Sequence, residues 1–434
     1  MKNDNSRRTE QLLAFMKLAD EKKDKGTMKD MTEKTEKLSR IDQSQLSSAQ
    51  KRGRLITRNL MRAYDPNETV VWHSLFMPTE IFQAMDIVPF STEMISAGIA
   101  GAGLSKGFVE SGEEYTMCRD SCSFSTCTVG AVLKDVFPVP DFLVTTSQLC
   151  DPEKKLGRFA ASEYGRKDFF IDVPYGGCTM REKDYNIAVD YVARQLAHMV
   201  AFIERETDKK LDSDKLAQAL QYSNEAREWY LKVCDLRMKN PPLISGVKIL
   251  DFSTVLLNIW GTKESADIFK SLYEELSQVA RQGGLPNVKY RLGWIHLRPY
   301  YDNTIINYLE KECGAHIVVE EINHIFWDAF DIKDPYRSIA RKLLKNPAFS
   351  PMDVRFDIYG KVIKDNYHLD GIIGFTQKGC RHFYSSIHMA ADKLKDICTW
   401  LVIDGDCVDP RAYSFPLIKT RVDSFIDMME MRKS

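Results

Sequence analysis

The sequence lacks any long apolar run. No stretch approaches the roughly 20 residues needed to cross a bilayer, so a membrane-spanning chain is excluded as a reading. It also lacks an excess of either charge. Sixty Lys and Arg stand against 61 Asp and Glu, a formal net charge of −1, which argues against a nucleic-acid partner or a basic membrane-surface binder. A nucleotide loop is missing too. Ala97-Gly98-Ile99-Ala100-Gly101-Ala102-Gly103 is rich in glycine. It has neither the Lys-Ser/Thr ending nor the Gly-x-Gly-x-x-Gly spacing that phosphate binding needs, and it reads as a mobile loop or tight helical packing. Met1–Arg8 runs into a polar stretch with no apolar core for a secretory signal. The expectation is a soluble, cytoplasmic protein.

The ten cysteines lack the usual spacings. They are too few for the disulfide scaffold of a small secreted domain. Cys118, Cys122 and Cys127 are spaced C-x3-C-x4-C, which is neither common ferredoxin pattern. Zinc would want two close pairs, and no second pair is present. Cys178, Cys234, Cys313, Cys398 and Cys407 are scattered and read as packing residues.

What is present is an alternation of strands and helices. Hydrophobic residues make up 44% of the 434, ample for the cores of two or three domains. Residues 1–66 read as a charged, helical N-terminal arm. Leu12, Leu13, Phe15, Met16 and Leu18 suggest one amphipathic helix, and Asp20–Lys37 a solvated face or flexible arm. Residues 67–184 carry strands at Val70–Trp72, Ile87–Phe90, Phe142–Thr146 and Phe169–Val173, with helices between them. Residues 185–287 read as a helical linker region. Residues 288–434 begin a second alternation, with strands at Tyr290–Trp294, Ala315–Val319, Leu369–Phe375 and Trp400–Asp404. Such alternation marks α/β structure with parallel sheets covered on both faces. The expected fold is two similar parallel-sheet α/β domains, a helical linker and an N-terminal helical arm, with the active-site cleft between the domains.

Three cysteines sit at junctions. Cys122 opens a helix. Cys150 and Cys380 each lie just past a predicted strand, where open α/β sheets bind ligands. Their positions suggest one shared site, in which three thiolates would leave one iron of an iron–sulfur cluster free for chemistry. Spacing alone leaves inert packing cysteines as an open alternative.

Several motifs occur together: the Trp72 strand with Pro78-x-Glu80; Cys122-Ser-Phe with Gly130 eight residues on; Pro140-Asp141-Phe142-Leu143-Val144 leading to Cys150; Ile171-Asp172-Val173-Pro174; Asp370-Gly371 leading to Cys380; and Ile403-Asp404-Gly405-Asp406 with Asp409-Pro410-Arg411. In this combination, from about Val70 to the C-terminus, the chain resembles the 2-hydroxyacyl-CoA dehydratase and benzoyl-CoA reductase family. It looks most like the larger, substrate-activating subunit. The resemblance implies a lyase subunit in which Cys122, Cys150 and Cys380 hold a [4Fe–4S] cluster. It implies removal of water from a 2-hydroxyacyl-CoA through a ketyl radical. It also implies two partners: a smaller homologous iron–sulfur subunit forming a heterodimer, and an ATP-dependent iron–sulfur activator. Glu93 matches a family glutamate. The family's serine-rich segment corresponds to His73-Ser74-Leu75, where the expected catalytic serine falls at or beside Leu75, so His73 or Ser74 is the candidate substitute. Asp404-Gly405-Asp406 reads as turn chemistry or a substrate contact. Two alternatives stay open: a benzoyl-CoA reductase-type subunit acting on an aromatic acyl-CoA, and an electron-relay subunit.

Overall fold

The structure is a computed structural model, and it describes residues 4–21, 46–116 and 118–433. From residue 22 onward, the Asp20–Lys37 stretch lies outside the described residues.

Eight strands form two four-stranded sheets. The first holds β1 (Val70–His73), β2 (Val88–Ser91), β3 (Phe142–Thr146) and β4 (Asp168–Ile171) in the order β2-β1-β3-β4. The second holds β5 (Tyr290–Ile295), β6 (Ala315–Glu320), β7 (Gly371–Gln377) and β8 (Thr399–Gly405) in the order β6-β5-β7-β8. Every pairing is parallel. The two orders are the same permutation, so each half winds in the same way. The inner strands explain the arrangement. All residues of β1, β3, β5 and β7 are buried, as strands covered by helices on both faces must be.

In a sheet of this order the chain leaves the first strand in one direction and later returns on its other side. That switch point opens a crevice at the carboxyl ends of the strands, where ligands bind. It falls between β1 and β3 in the first sheet and between β5 and β7 in the second.

One hydrophobic core joins the halves. Trp72 and Phe90 of the first sheet belong to the same buried cluster as Trp294 and Phe375 of the second, and Phe124 meets Tyr300 edge-on at 6.2 Å across the halves. Within it Trp72 stacks on Phe90 at 5.6 Å and Trp294 on Phe375 at 6.1 Å. The long helices Glu182–Glu206, Ser213–Arg237 and Lys263–Arg281 stand between the two alternations in sequence. They build two further clusters, one against the outer face of the first sheet. The N-terminal helix Asp4–Glu21 packs Phe15 and Ala19 into the shared core. Arg8 pins it, donating to Val139 O at 2.8 Å and pairing with Asp141 at 2.8 Å.

Two local readings change. Residues 97–101 of the glycine-rich segment belong to a helix, Thr92–Gly101, and neither Gly98 nor Gly103 makes a close approach, since nothing lies within 4 Å of a Cβ added there. β4 stops at Ile171 rather than Val173. There the Ser147 hydroxyl replaces the ladder, accepting from Val173 N at 2.7 Å and donating to Val173 O at 2.8 Å.

Candidate active site

Cys122, Cys150 and Cys380 are each the N-cap of a helix, respectively Ser123–Leu133, Asp151–Tyr164 and Arg381–Leu394. All three have extended backbones, so the first turn begins at the next residue and its free N–H groups face the sulfur. Cys150 follows β3 and Cys380 follows β7, so these two hold equivalent places in the two halves. Both lie at the switch points. Cys122 comes from the helix that precedes β3.

These junctions meet. A Cβ added at Gly379 would lie 2.2 Å from Ser121 O and 2.6 Å from Cys122 N. Only glycine lets the two backbones approach this closely. A hydrogen-bonded clamp holds them together. Asp406, just past β8, accepts from Ser123 Oγ at 2.6 Å and from Gln377 Nε2 at 2.8 Å. Gln377 Nε2 also donates to Ser123 Oγ at 2.8 Å, and Gln377 Oε1 accepts from Cys407 N at 2.6 Å. Val408 N and Asp409 N complete the Asp406 shell at 2.8 and 2.7 Å. The helix behind Cys122 is set by another close crossing: a Cβ at Gly130 would come within 1.9 Å of Phe108 O.

All three thiols line one cavity of about 1360 Å³, counting space open to solvent. Leu75, Phe76 and Glu93 enter it from the first half, and His296, Glu321 and Arg355 from the second. Phe76 (φ 63°) and His296 (φ 72°) both hold left-handed backbones just beyond the first strand of their sheet, a conformation that costs a bulky residue about 1–2 kcal/mol.

Burial pushes the thiols of Cys122, Cys150 and Cys380 above the usual cysteine range. The charge of Glu93 raises all three further, while first-turn N–H groups pull the other way. Without a metal these groups stay protonated thiols; to be held there as thiolates they would need a cation, which a soft metal centre would supply. Among the described residues no three His, Cys, Asp or Glu side chains close on a single metal ion. A multi-iron cluster does not need that, because each cysteine binds a different iron. Three buried cysteines on one cavity wall are donors of the kind such a cluster uses.

Beside the thiols lies a buried carboxyl pair. Glu93 and Glu153 share a hydrogen bond, and burial raises both above the ordinary carboxylate range. Glu153 Oε1 accepts from Leu75 N at 2.6 Å. Neither Glu93 Oε2 nor Glu153 Oε2 has another partner. Two such carboxyls cannot both ionise cheaply, so burial and mutual repulsion favour keeping a proton on the pair.

The pattern of the family described as 2-hydroxyglutaryl-CoA dehydratase, D-component, matches residues 74–429. The chain belongs to that family. Among curated relatives, it is 21% identical over 386 residues to the (R)-phenyllactyl-CoA dehydratase alpha subunit of Clostridium sporogenes, covering 86% of this chain and 92% of that one. It is 25% identical over 302 residues to the (R)-2-hydroxyglutaryl-CoA dehydratase alpha subunit of Acidaminococcus fermentans, covering 68% and 61%. A benzoyl-CoA reductase subunit from Thauera aromatica is 22% identical over 395 residues, covering 83% and 89%.

In this family member the structure sorts the remaining candidates. Glu93 lines the large cavity; His73 and Ser74 do not. They line a smaller one behind it with Glu153. Ser74 Oγ accepts from Thr146 N at 3.1 Å, and His73 is pushed down to about 4 by burial. Leu75, one residue on, is the one that faces the cavity. Of the Asp404-Gly405-Asp406 turn, Asp404 is exposed and Asp406 is the clamp. Glu80 is fully buried and pairs with Lys342 at 3.0 Å. Cys178 is exposed rather than packed, as is Cys118. It sits on the three-residue turn Gly177–Thr179, and its Sγ lies 3.2 Å from Lys345 O at the surface. Sequence reasoning missed Glu153, whose signal is its place in the first turn after Cys150. It also missed Lys342 and Arg355, which lie in the helices Pro335–Leu344 and Met352–Tyr367.

Proposed function

We propose that this cavity is the active site of a 2-hydroxyacyl-CoA dehydratase subunit, in which Cys122, Cys150 and Cys380 hold a [4Fe–4S] cluster. The observation that carries it is the meeting of three cysteine helix N-caps from both halves on one cavity wall, beside the buried Glu93–Glu153 carboxyl pair. The family's dehydratase members give the reading its chemistry. The two sheet units, taken as domains 67–184 and 288–434 joined by 185–287, each contribute one switch point.

Bound there, the cluster supplies one electron and an iron with no cysteine ligand. The chain supplies the rest. Helix N-termini stabilise the thiolates. The apolar wall keeps water from a reactive intermediate. Glu93 holds or takes a proton at the cavity face, and Glu153 tunes it from behind. A substrate thioester carrying one extra electron expels its 2-hydroxyl, which leaves as water with a proton from this pair. The β-proton of the resulting radical is acidic enough for the Glu93 carboxylate. Returning the electron leaves the 2-enoyl-CoA, so the overall step is redox-neutral.

A smaller homologous iron–sulfur subunit and an ATP-dependent activator complete the system. The test is anaerobic purification with both, then iron analysis and assay with 2-hydroxyacyl-CoA esters. A colourless chain without iron rejects the cluster. A benzoyl-CoA reductase-type role is the second reading, favoured by Leu75 standing where the dehydratase serine is expected. Incubation with benzoyl-CoA separates the two. An electron-relay role predicts that Glu93→Gln leaves turnover intact.

A further inference from the structure

The cavity wall is apolar and aromatic away from the cysteines. Phe76, Phe124, Trp260, Phe326, Trp327 and Phe383 all line it, joined by aliphatic residues such as Leu75, Met94 and Leu257. Only two cationic side chains, Lys342 and Arg355, appear among its described lining residues, and both are committed. Lys342 Nζ lies 3.0 Å from Glu80 Oε1, with its charge over the rings of Trp260 and Trp327 at 4.8 and 4.9 Å. Arg355 Nε donates to Glu321 Oε1 at 3.0 Å, and its guanidinium stacks 3.7 Å from Phe383. Each cation is neutralised by a buried carboxylate. His296 Nδ1 faces Phe375 O at 3.2 Å, and His382 Nε2 is engaged by Ala348 O.

Resting on the acyl-CoA reading above, we propose that this cavity takes a bulky, uncharged acyl group, an aromatic or branched one, and rejects an acyl chain ending in a second carboxylate. Aromatic walls bind flat apolar groups well. A terminal carboxylate would be buried where both cations already serve other carboxylates, and breaking either existing pair would strand one of those. A very small acyl group would leave much of this apolar wall without contact.

Binding of non-reacting esters tests this without turnover. The full chain, purified without oxygen, is titrated by calorimetry with 3-phenylpropionyl-CoA, glutaryl-CoA and propionyl-CoA. 3-Phenylpropionyl-CoA is expected to bind about 100-fold or more tighter than glutaryl-CoA, with propionyl-CoA between them. Equal binding of the aromatic and the glutaryl ester overturns the proposal while leaving the acyl-CoA reading standing. If no CoA ester binds, the acyl-CoA reading falls and the proposal falls with it. In the reconstituted complex the same order is expected in kcat/KM for the matching 2-hydroxyacyl esters.

Discussion

Asp406→Asn should separate cluster retention from the rest of the fold. The carboxylate accepts four hydrogen bonds, from Ser123 Oγ, Gln377 Nε2, Val408 N and Asp409 N, at 2.6–2.8 Å. Asparagine has the same shape but only one accepting oxygen. If its oxygen faces Ser123, Val408 and Asp409, its NH2 meets the NH2 of Gln377. Gln377 cannot flip to relieve this, because its oxygen already accepts from Cys407 N at 2.6 Å. If asparagine turns the other way, its NH2 meets two backbone N–H groups. At least one buried donor stays unsatisfied in either case, and the charge assistance is lost, a cost of about 2–4 kcal/mol. The clamp joins the residue after Cys122 to the strand end before Cys380. The variant therefore populates forms in which these thiols are apart, and apparent affinity for the cluster falls by about 30- to 900-fold. The assay is iron per chain after anaerobic reconstitution, followed over time against a chelator. Asp404→Asn is the control: it is exposed, and its carboxylate receives only a 3.3 Å contact from Thr376. Equal iron retention by Asp406→Asn and the parent chain would refute the clamp.

Cys122→Ser, Cys150→Ser and Cys380→Ser should each lose iron, whereas Cys407→Ala should keep it, because Cys407 is buried but does not line the cavity; elemental analysis decides. Glu93→Gln should keep iron while kcat falls by about 10²–10⁴-fold, the usual worth of a positioned acid–base group, and an unchanged rate would move the chain to a relay role. Glu310 is pushed up to about 7 by burial. Folding therefore takes up a proton there, and the stability it gives is full at acid pH and lost as pH rises through 7, about 3 kcal/mol at most. Glu310→Gln, which can still accept from Gly246 N (2.6 Å in the parent), should flatten thermal stability between pH 5 and 8; an unchanged pH profile would refute the assignment.

The sheets were legible because the buried strands of a parallel sheet are apolar runs bounded by turn residues, as at Phe142–Thr146 and Gly371–Gln377. The junction positions of Cys122, Cys150 and Cys380 followed from the strand and helix ends. Those positions also suggested one shared site, but the contacts that bring the three together, two halves docked through a shared core, could not be read from them. The same holds for Glu153, Asp406 and the Lys342–Glu80 pair. Each is an ordinary polar residue whose partner is far off in sequence, 29 positions for Gln377 with Asp406 and 262 for Lys342 with Glu80. His73, Ser74 and Leu75 show a finer limit. Which of three consecutive residues faces the cavity is set by how the backbone turns after β1, and Phe76, with its left-handed backbone, is part of that turn. Periodicity cannot see it.

The order of the cysteines along the chain has a consequence for biosynthesis. Cys122 and Cys150 leave the ribosome long before Cys380. At about 5–20 residues per second, the wait is on the order of 10–50 s. During that time the first half can close its own sheet but presents only two of three thiols. On the cluster reading proposed above, iron can be fully seated only once the second half is made and docked, and until then a nascent chain exposes a thiol pair to oxidation.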